Sequence, residues 1–281
     1  GKNLSAEKSC TIGTQKKTNY ALLEDSEEGF VKSVTEGLTL PPPYFHKNAV
    51  LNKQGYKSLD DILERGNKSI RTDLFSQAIQ HKKSVVVDTR NKATFTNGYV
   101  PDSIYLGLQG SYATWAGTLI KVLSAPIILI TDHGKEEESI TRLARVGFDN
   151  IIGYLEGGFN EWKDRKYDVG KIKNQCPVDF AKNTSNKNIL DVRTEAEFAA
   201  GHVENAINMP LASLLENIAK LNRKKEYHIY CKSGYRSVIA ASILRKIGFE
   251  KLVNIKKGYQ GITSPQLTCC CTKTMLKEST K

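Results

Sequence analysis

An internal repeat is the feature that most constrains how this chain can fold. Residues 87–104 and 190–207 align without a gap at an offset of 103 residues, and both begin with an Asp-x-Arg pattern after an apolar residue. Further matches join 145–148 to 246–249 and 158–159 to 258–259. Self-similarity at a fixed spacing indicates a repeated structural unit. The 281 residues therefore carry two copies of one unit, preceded by a segment that belongs to neither copy.

One cysteine of the second copy lies where a thiolate can be stabilised. Residues 226–230 are predicted to form a short buried strand, and residues 235–247 have the apolar spacing of a helix that stops at Gly248. Cys231 lies between them, so it faces unpaired backbone N–H groups and the positive end of the helix dipole. Lys232 and Arg236 add positive charge. The pattern predicts a nucleophilic Cys231, and the alternative is an inert cysteine that caps a core strand.

Two further stretches of the second copy precede this loop in the chain. Residues 188–198 (NILDVRTEAEF) and 201–210 (GHVENAINMP) look like the opening of a rhodanese domain, and with the cysteine loop the resemblance covers about residues 180 to 265. It implies an α/β sulfurtransferase. In such a protein Cys231 would take a sulfane sulfur from a donor, hold it as a persulfide and pass it to an acceptor.

The same resemblance implies roles for the residues around Cys231. Arg236 would close the loop, and backbone N–H groups would surround the persulfide anion, with substrate-binding positions at Lys232, Ser233, Gly234, Tyr235 and Ser237. Asp191 and Arg193 are interpreted as a buried structural pair rather than as catalysts, and His202 as structural. Four residues separate Cys231 from Arg236, which matches the sulfurtransferase loop. The related phosphatases have five, so a phosphatase is the disfavoured alternative.

The first copy lacks the cysteine. After an apolar strand at 127–130 it reads TDHGKEEE, which we interpret as a slightly shorter loop with four carboxylates near a helix start. Those carboxylates suit the helix dipole but would repel an anionic sulfur donor. With His133 they could also indicate a metal site, although a solvated helix cap is the favoured interpretation. We expect this copy to be a non-catalytic scaffold or docking module.

Residues 1 to about 75 fit neither repeat. Ser26 is predicted to cap a helix that ends at Gly37, and residues 47–52 to form a short helix or loop. Residues 1–4, 19–22 and 41–45 look like the end of a metallo-β-lactamase fold. The resemblance is to fusions with tandem rhodanese domains in persulfide dioxygenase-like proteins, and residues 111–117 and 154–159 also look typical of that fusion.

Members of that fusion family bind iron or zinc through histidines and aspartates, and none of their metal-binding motifs occurs in this sequence. We therefore expect no metal and no other cofactor. Because the chain begins with Gly1 rather than Met, we expect it to be the C-terminal part of a longer fusion that lacks its N-terminal domain. Without partner strands, residues 1–60 should expose apolar surface. They are expected to pack on the first repeat, to mediate homo-oligomers or to be mobile.

The predicted organisation has four parts. These are a metallo-β-lactamase-like remnant at 1–70, an inactive rhodanese-like domain at 71–170, an active one at 178–266 and a tail at 267–281. Each rhodanese-like domain is expected to be α/β, with a parallel sheet flanked by helices and ligands at the carboxyl ends of the strands. Three adjacent tail cysteines could be lipidated, bind a soft metal or resolve a persulfide, but adventitious thiols are favoured: Cys269, Cys270 and Cys271.

The composition of the chain limits the kinds of partner and the compartment that can be expected for it. The net charge is +11, but the lysines are spread along the chain, so no nucleic-acid partner is indicated and small sulfur-containing anions and thiols are expected. No apolar run approaches the ~20 residues of a membrane span, and no signal peptide is visible. The six cysteines show neither a disulfide framework nor zinc-ligand spacing, which predicts a reducing, cytoplasmic setting.

The predicted function is sulfur transfer from thiosulfate or a low-molecular-weight persulfide to a thiol or cyanide, through a Cys231 persulfide. Two alternatives stay open. The chain could be a non-catalytic scaffold or binding module. It could also be the trailing part of a metal-dependent persulfide dioxygenase or hydrolase whose metal site is absent from this sequence.

Overall fold

The computed structural model describes residue 7 and residues 9–36, 44–81 and 84–264. The chain forms two compact units, Gly1–Pro42 and Pro43–Lys281. Several predictions lie outside the described residues: those for residues 1–4, for Gly37, for the prolines at 41–43 and for the cysteines at 269–271.

The first unit is helical in its described part. It contains helix α1 (Ile12–Thr18), a 3₁₀ turn (Tyr20–Leu22) and helix α2 (Glu27–Thr35). The helix start predicted at Ser26 is confirmed, since the Ser26 Oγ atom accepts a hydrogen bond from Gly29 N at 3.0 Å.

The second unit opens with two helices, α3 (Tyr44–Gln54) and α4 (Leu59–Gly66), and the short helix or loop predicted at 47–52 is part of α3. Tyr44 is buried against Gly117, and Ile62 of α4 is buried in the same core. These two helices pack onto the first repeat, although the sequence groups them with the N-terminal segment.

The first repeat, called the first domain below, forms a five-stranded parallel sheet in the order β1-β5-β4-β2-β3. Its elements are β1 (Ser69–Ile70), α5 (Thr72–Gln80), β2 (Val85–Asp88), α6 (Lys92–Asn97), β3 (Ile104–Tyr105), α7 (Tyr112–Leu119), β4 (Ile127–Ile130), α8 (Glu136–Ala144), β5 (Ile151–Leu155) and α9 (Gly158–Asp164).

The second repeat, called the second domain, repeats this topology with the order β6-β10-β9-β7-β8. Its elements are β6 (Lys173–Gln175), α10 (Pro177–Ala181), β7 (Asn188–Asp191), α11 (Glu195–Ala199), β8 (Ala206–Asn208), two 3₁₀ turns (Leu211–Ser213 and Ile218–Lys220), β9 (Tyr227–Tyr230), α12 (Tyr235–Lys246), β10 (Leu252–Ile255) and α13 (Gly258–Thr263).

The central strands are buried on both faces, as parallel sheets require when helices cover both sides. Every residue of β4, β9 and β10 is buried. The predicted α/β architecture of two parallel sheets flanked by helices is confirmed. None of the helices in the described part of the chain has the length and apolar character needed to cross a membrane.

The two domains share an interface that includes α12. The Tyr105 backbone N–H donates to Ser242 Oγ at 3.0 Å, and Arg245 Nε donates to Tyr99 Oη at 3.1 Å. Both contacts join α12 of the second domain to residues of the first. Because α12 begins just after the cysteine loop, this interface brings the first domain close to Cys231.

Candidate active site

Cys231 lies at the carboxyl end of β9, at the start of a four-residue loop that leads into α12. Its side chain is 1% exposed. Its Sγ atom accepts a hydrogen bond from the Gly234 backbone N–H at 3.1 Å. Gly234 caps α12 with φ +89°, a left-handed conformation that favours glycine. This turn aims the N–H group of the N-cap residue at the sulfur, which is an arrangement that stabilises a thiolate or persulfide anion.

The start of α13 holds the same loop from the other side. The Tyr259 backbone N–H donates to the Cys231 carbonyl oxygen at 2.7 Å, and the Gln260 N–H donates to the Lys232 carbonyl at 3.1 Å. Gly258 permits this approach: a Cβ atom there would lie 2.0 Å from the Cys231 carbonyl oxygen. Two carbonyls of the loop are thus bound by α13, and the Gly234 N–H faces the sulfur from the helix that follows the loop.

Arg236 forms a bidentate ion pair with Glu197, the third residue of α11. The distances are 2.6 Å from Nη1 to Oε2 and 2.7 Å from Nη2 to Oε1. Glu197 also accepts from the Thr194 backbone N–H, completing a capping box. The Arg236 guanidinium lowers the pKa of Glu197 to about 2, and Glu197 raises the pKa of Arg236. The pair therefore ties the base of the cysteine loop to α11.

Replacing Glu197 with glutamine is expected to lower the free energy of unfolding by about 1 kcal/mol at neutral pH, because this ion pair is partly screened by solvent. Glutamine keeps an acceptor at the capping-box position, so the variant removes mainly the charge. The folded-state pKa of about 2 lies below the ordinary value of 4.5. The stabilisation is thus complete above the ordinary pKa and is lost as the pH falls towards 2.

Urea unfolding of both proteins at neutral pH and at about pH 3 tests this expectation. The difference in free energy of unfolding between wild type and Glu197→Gln should be smaller at the lower pH. An undiminished difference at the lower pH would show that the carboxylate charge is not its source.

A cavity of about 500 Å³ opens onto Cys231 between the two domains. The second domain lines it with Cys231, Lys232, Ser233, Tyr235 and Arg236, and the first domain with Lys92, Tyr105, Gln109, Gly110, Ser111 and Trp115. Cations and aromatic rings in one small cavity suit a small anionic ligand. A larger cavity of about 1170 Å³ lies between α3, α4 and the first domain. No cysteine lines this larger cavity, so the smaller cavity beside Cys231 is the candidate active site.

The remaining residues predicted for the site lie beside the loop rather than in the cavity. Arg193 Nη2 lies 2.6 Å from Asp191 Oδ2, and both side chains are almost fully buried. The Ser237 hydroxyl is buried and donates to Asn254 Oδ1 at 2.7 Å. The ring of His202 stacks on Phe198 with centroids 3.7 Å apart. These groups pack beside the loop, and none of their described contacts is with Cys231 Sγ.

The corresponding loop of the first domain holds Thr131 where the second domain has Cys231. It spans residues 131–135, five residues, against the four of 231–234. The prediction of a shorter loop in the first copy was wrong, because Lys135 is not helical and α8 begins only at Glu136. Glu138 pairs with Lys135 and Arg142. Among the described residues no cluster of three or more His, Cys, Asp or Glu side chains could hold a metal ion.

Sequence reasoning missed the first domain's share of this site. Lys92, Gln109 and Trp115 carry no local signature of function, since only the packing of the two domains brings them to Cys231. Glu197 had a visible signal. It stands three residues after Thr194, the spacing of a capping box, and its carboxylate was available to pair with a nearby arginine.

Fold and site together define an α/β protein with a cysteine whose sulfur accepts a backbone N–H, at an interface between two related domains. The Rhodanese-like domain model matches residues 72–165 and 177–265. The chain therefore belongs to the rhodanese-like domain family, with two such domains in tandem. The matched regions do not include the N-terminal segment, and its resemblance to a metallo-β-lactamase fold stays a prediction.

Known relatives share parts of this chain. It is 37% identical over 76 residues to the "Putative sulfur carrier protein YrkF" of Bacillus subtilis, covering 27% of this chain and 41% of that protein. It is 29% identical over 90 residues to a "Sulfurtransferase" of Allochromatium vinosum, covering 32% and 84%. A rhodanese-related protein from Thermoplasma volcanium is similar at 30% identity, with a TM-score of 0.32 and coverage of 33% and 92%. Two of these three relatives carry names that refer to sulfur carriage or sulfur transfer.

Proposed function

We propose that this chain moves a sulfane sulfur from thiosulfate or a low-molecular-weight persulfide to a thiol or cyanide through a persulfide on Cys231. The observation that carries the proposal is the hydrogen bond from the Gly234 N–H to Cys231 Sγ, beside a cavity lined by Lys92 and Lys232. A backbone N–H at this distance stabilises negative charge on the sulfur as it reacts. The cavity leaves room for a small donor and then for an acceptor.

The proposed reaction has two displacement steps. The Cys231 thiolate attacks the outer sulfur of thiosulfate, the new S–S bond forms as the old one breaks, and sulfite leaves with the electron pair. A persulfide donor RSSH reacts in the same way and releases RS⁻. The acceptor thiolate or cyanide then attacks the outer sulfur of the Cys231 persulfide, which forms a new persulfide or thiocyanate and returns the Cys231 thiolate. No net redox change occurs, so the scheme needs neither metal nor organic cofactor.

Separate roles follow for the surrounding groups. Gly234 N–H stabilises the sulfur anion in both steps. Lys232 lines the cavity and favours anionic donors, while Ser233 and Tyr235 form part of its wall. Arg236, held by Glu197, keeps the first turn of α12 in place. We propose small sulfur anions and thiols as partners, and the cytoplasm, a reducing setting, as the compartment.

The direct test is the intact mass of the protein after incubation with thiosulfate. A gain of roughly 32 Da, one sulfur, is expected in the wild type and in Cys10→Ser, and no gain in Cys231→Ser. Cys10 is an exposed free thiol, so its variant controls for non-specific sulfur uptake. Cyanide should remove the added mass.

The alternatives give different results in the same experiment. A folded protein that gains no sulfur from thiosulfate or from glutathione persulfide would favour the scaffold or binding module. The hypothesis that this chain is the trailing part of a metal-dependent persulfide dioxygenase is favoured only if the gene that encodes it also encodes a metal-binding domain upstream. In that case the Cys231 result still decides whether the rhodanese-like part transfers sulfur.

A further inference from the structure

One peptide group of the cysteine loop is bound at both ends. Its N–H belongs to Gly234 and donates to Cys231 Sγ at 3.1 Å. Its carbonyl belongs to Ser233 and accepts a hydrogen bond from Lys92 Nζ at 2.9 Å. Lys92 is the first residue of α6, so this cation comes from the domain that has no cysteine.

The first domain also holds the residue on the other side of Gly234. The Tyr235 hydroxyl donates to the Gly107 carbonyl oxygen at 2.8 Å, and its ring packs on Tyr105 with centroids 5.7 Å apart. Both neighbours of Gly234 are therefore fixed by the first domain. The N–H group that faces the sulfur depends on contacts made 141 and 128 residues away in sequence.

The physical consequence concerns the strength and direction of that N–H group. A cation at a carbonyl oxygen polarises the peptide and strengthens its N–H as a donor. The same contact keeps the Ser233 carbonyl pointing away from Cys231. Gly234 is conformationally permissive, so without this contact the peptide is freer to rotate and turn its carbonyl towards the sulfur, where it would oppose an anion.

We propose that Lys92 is a positioning residue for Cys231: it holds and polarises the Ser233–Gly234 peptide and so keeps the Gly234 N–H aimed at the cysteine sulfur, where it stabilises negative charge. The first domain is then a working part of the active site of the second. The proposal deepens the proposed function, because it assigns a role in activating the same sulfur. It differs from a simpler role in which Lys92 only attracts anionic donors into the cavity.

A neutral reagent separates the two roles. Iodoacetamide carries no charge, so its rate of reaction with Cys231 depends on the thiolate and not on attraction of an anion. The test compares the alkylation rate of Cys231, followed by peptide mass spectrometry at neutral pH, in wild type, Lys92→Gln, Lys92→Arg and Lys163→Gln. Lys163 is an exposed lysine of the same domain, and its variant makes the same change in net charge.

The expected result is a Lys92→Gln rate lower by on the order of tenfold, the effect of weakening one hydrogen bond to a charged group. Lys92→Arg should recover most of the rate, because its guanidinium can also donate to the Ser233 carbonyl. Lys163→Gln should react like the wild type. Circular dichroism of each variant shows that the fold is kept.

Two results would overturn the proposal. An unchanged alkylation rate in Lys92→Gln, with slower loading from thiosulfate, would make Lys92 an attractor of anions only. If Lys92→Gln matched the wild type both in the rate of alkylation and in the rate of loading from thiosulfate, Lys92 would have no role in the site. Alkylation does not require sulfur transfer, so the test remains valid if the wild type fails to take up sulfur from thiosulfate.

Discussion

Replacing Gly258 with alanine is expected to abolish sulfur loading of Cys231 and to lower the free energy of unfolding by roughly 2–5 kcal/mol. Gly258 has φ +55°, where an L side chain is strained. Its added Cβ would lie 2.0 Å from the Cys231 carbonyl oxygen, which is backbone and cannot rotate away. Relief requires the loop and the start of α13 to separate. That movement breaks the hydrogen bond from Tyr259 N–H to Cys231 and displaces the sulfur from its N–H donor.

Gly248→Ala is the matched control. Gly248 has φ +94°, but among the described residues no atom beyond Gly248 and its two chain neighbours lies within 4 Å of the position of an added Cβ. It should therefore lose only the conformational cost of a left-handed residue, about 1–2 kcal/mol, and keep its sulfur loading. Urea unfolding gives the stability of both variants, and intact mass after thiosulfate gives the loading. If Gly258→Ala lost no more unfolding free energy than Gly248→Ala and still loaded fully with sulfur, the loop would not depend on this close approach.

The strand, loop and helix around Cys231 were predictable because each leaves a local signal. An apolar run ends at Tyr230, glycine precedes the helix, and the helix has regular apolar spacing up to Gly248. The shared strand order of the two sheets also follows from the repeat, since two similar sequences bury similar faces. These features depend on residues that are near one another in the chain.

The cavity over Cys231 was not predictable on the same grounds. Lys92 precedes Ser233 by 141 residues, and their contact exists only because α12 packs against the first domain. A single sequence records no such pairing. The start of α8 shows a smaller failure of the same kind: several residues after Thr131 are compatible with a helix start, and the turn at Gly134 delays it to Glu136. The interpretation of the first domain as a mere scaffold therefore leaves out its contribution to the cavity.

The buried aspartate–arginine pair occurs once in each domain with nearly the same geometry. In the first domain Arg90 Nη2 lies 2.6 Å from Asp88 Oδ2 and donates to the Gly98 carbonyl at 2.9 Å. In the second domain Arg193 makes the same 2.6 Å contact with Asp191 and donates to the Gly201 carbonyl at 2.7 Å. Each guanidinium also lies over an aromatic ring of the last helix of its domain: Arg90 over Phe159 of α9, and Arg193 over Tyr259 of α13.

Asp191→Asn and Asp88→Asn are each expected to lower the free energy of unfolding by roughly 3–5 kcal/mol, because each leaves an arginine charge buried without its partner. Asparagine has nearly the same size, so the loss reflects charge and hydrogen bonding rather than a cavity. The exposed pair of Asp179 and Lys182 provides the control, and Asp179→Asn should change stability by less than about 1 kcal/mol.

Urea unfolding of the three variants checks this ranking, with sulfur loading measured on the same samples. Arg193 lies 4.1 Å over the Tyr259 ring, and the Tyr259 N–H holds the Cys231 carbonyl. Asp191→Asn should therefore also slow sulfur loading, while Asp88→Asn acts mainly on stability. If Asp88→Asn were no more harmful than Asp179→Asn, the buried pair would not hold its domain together, and the shared geometry would need another explanation.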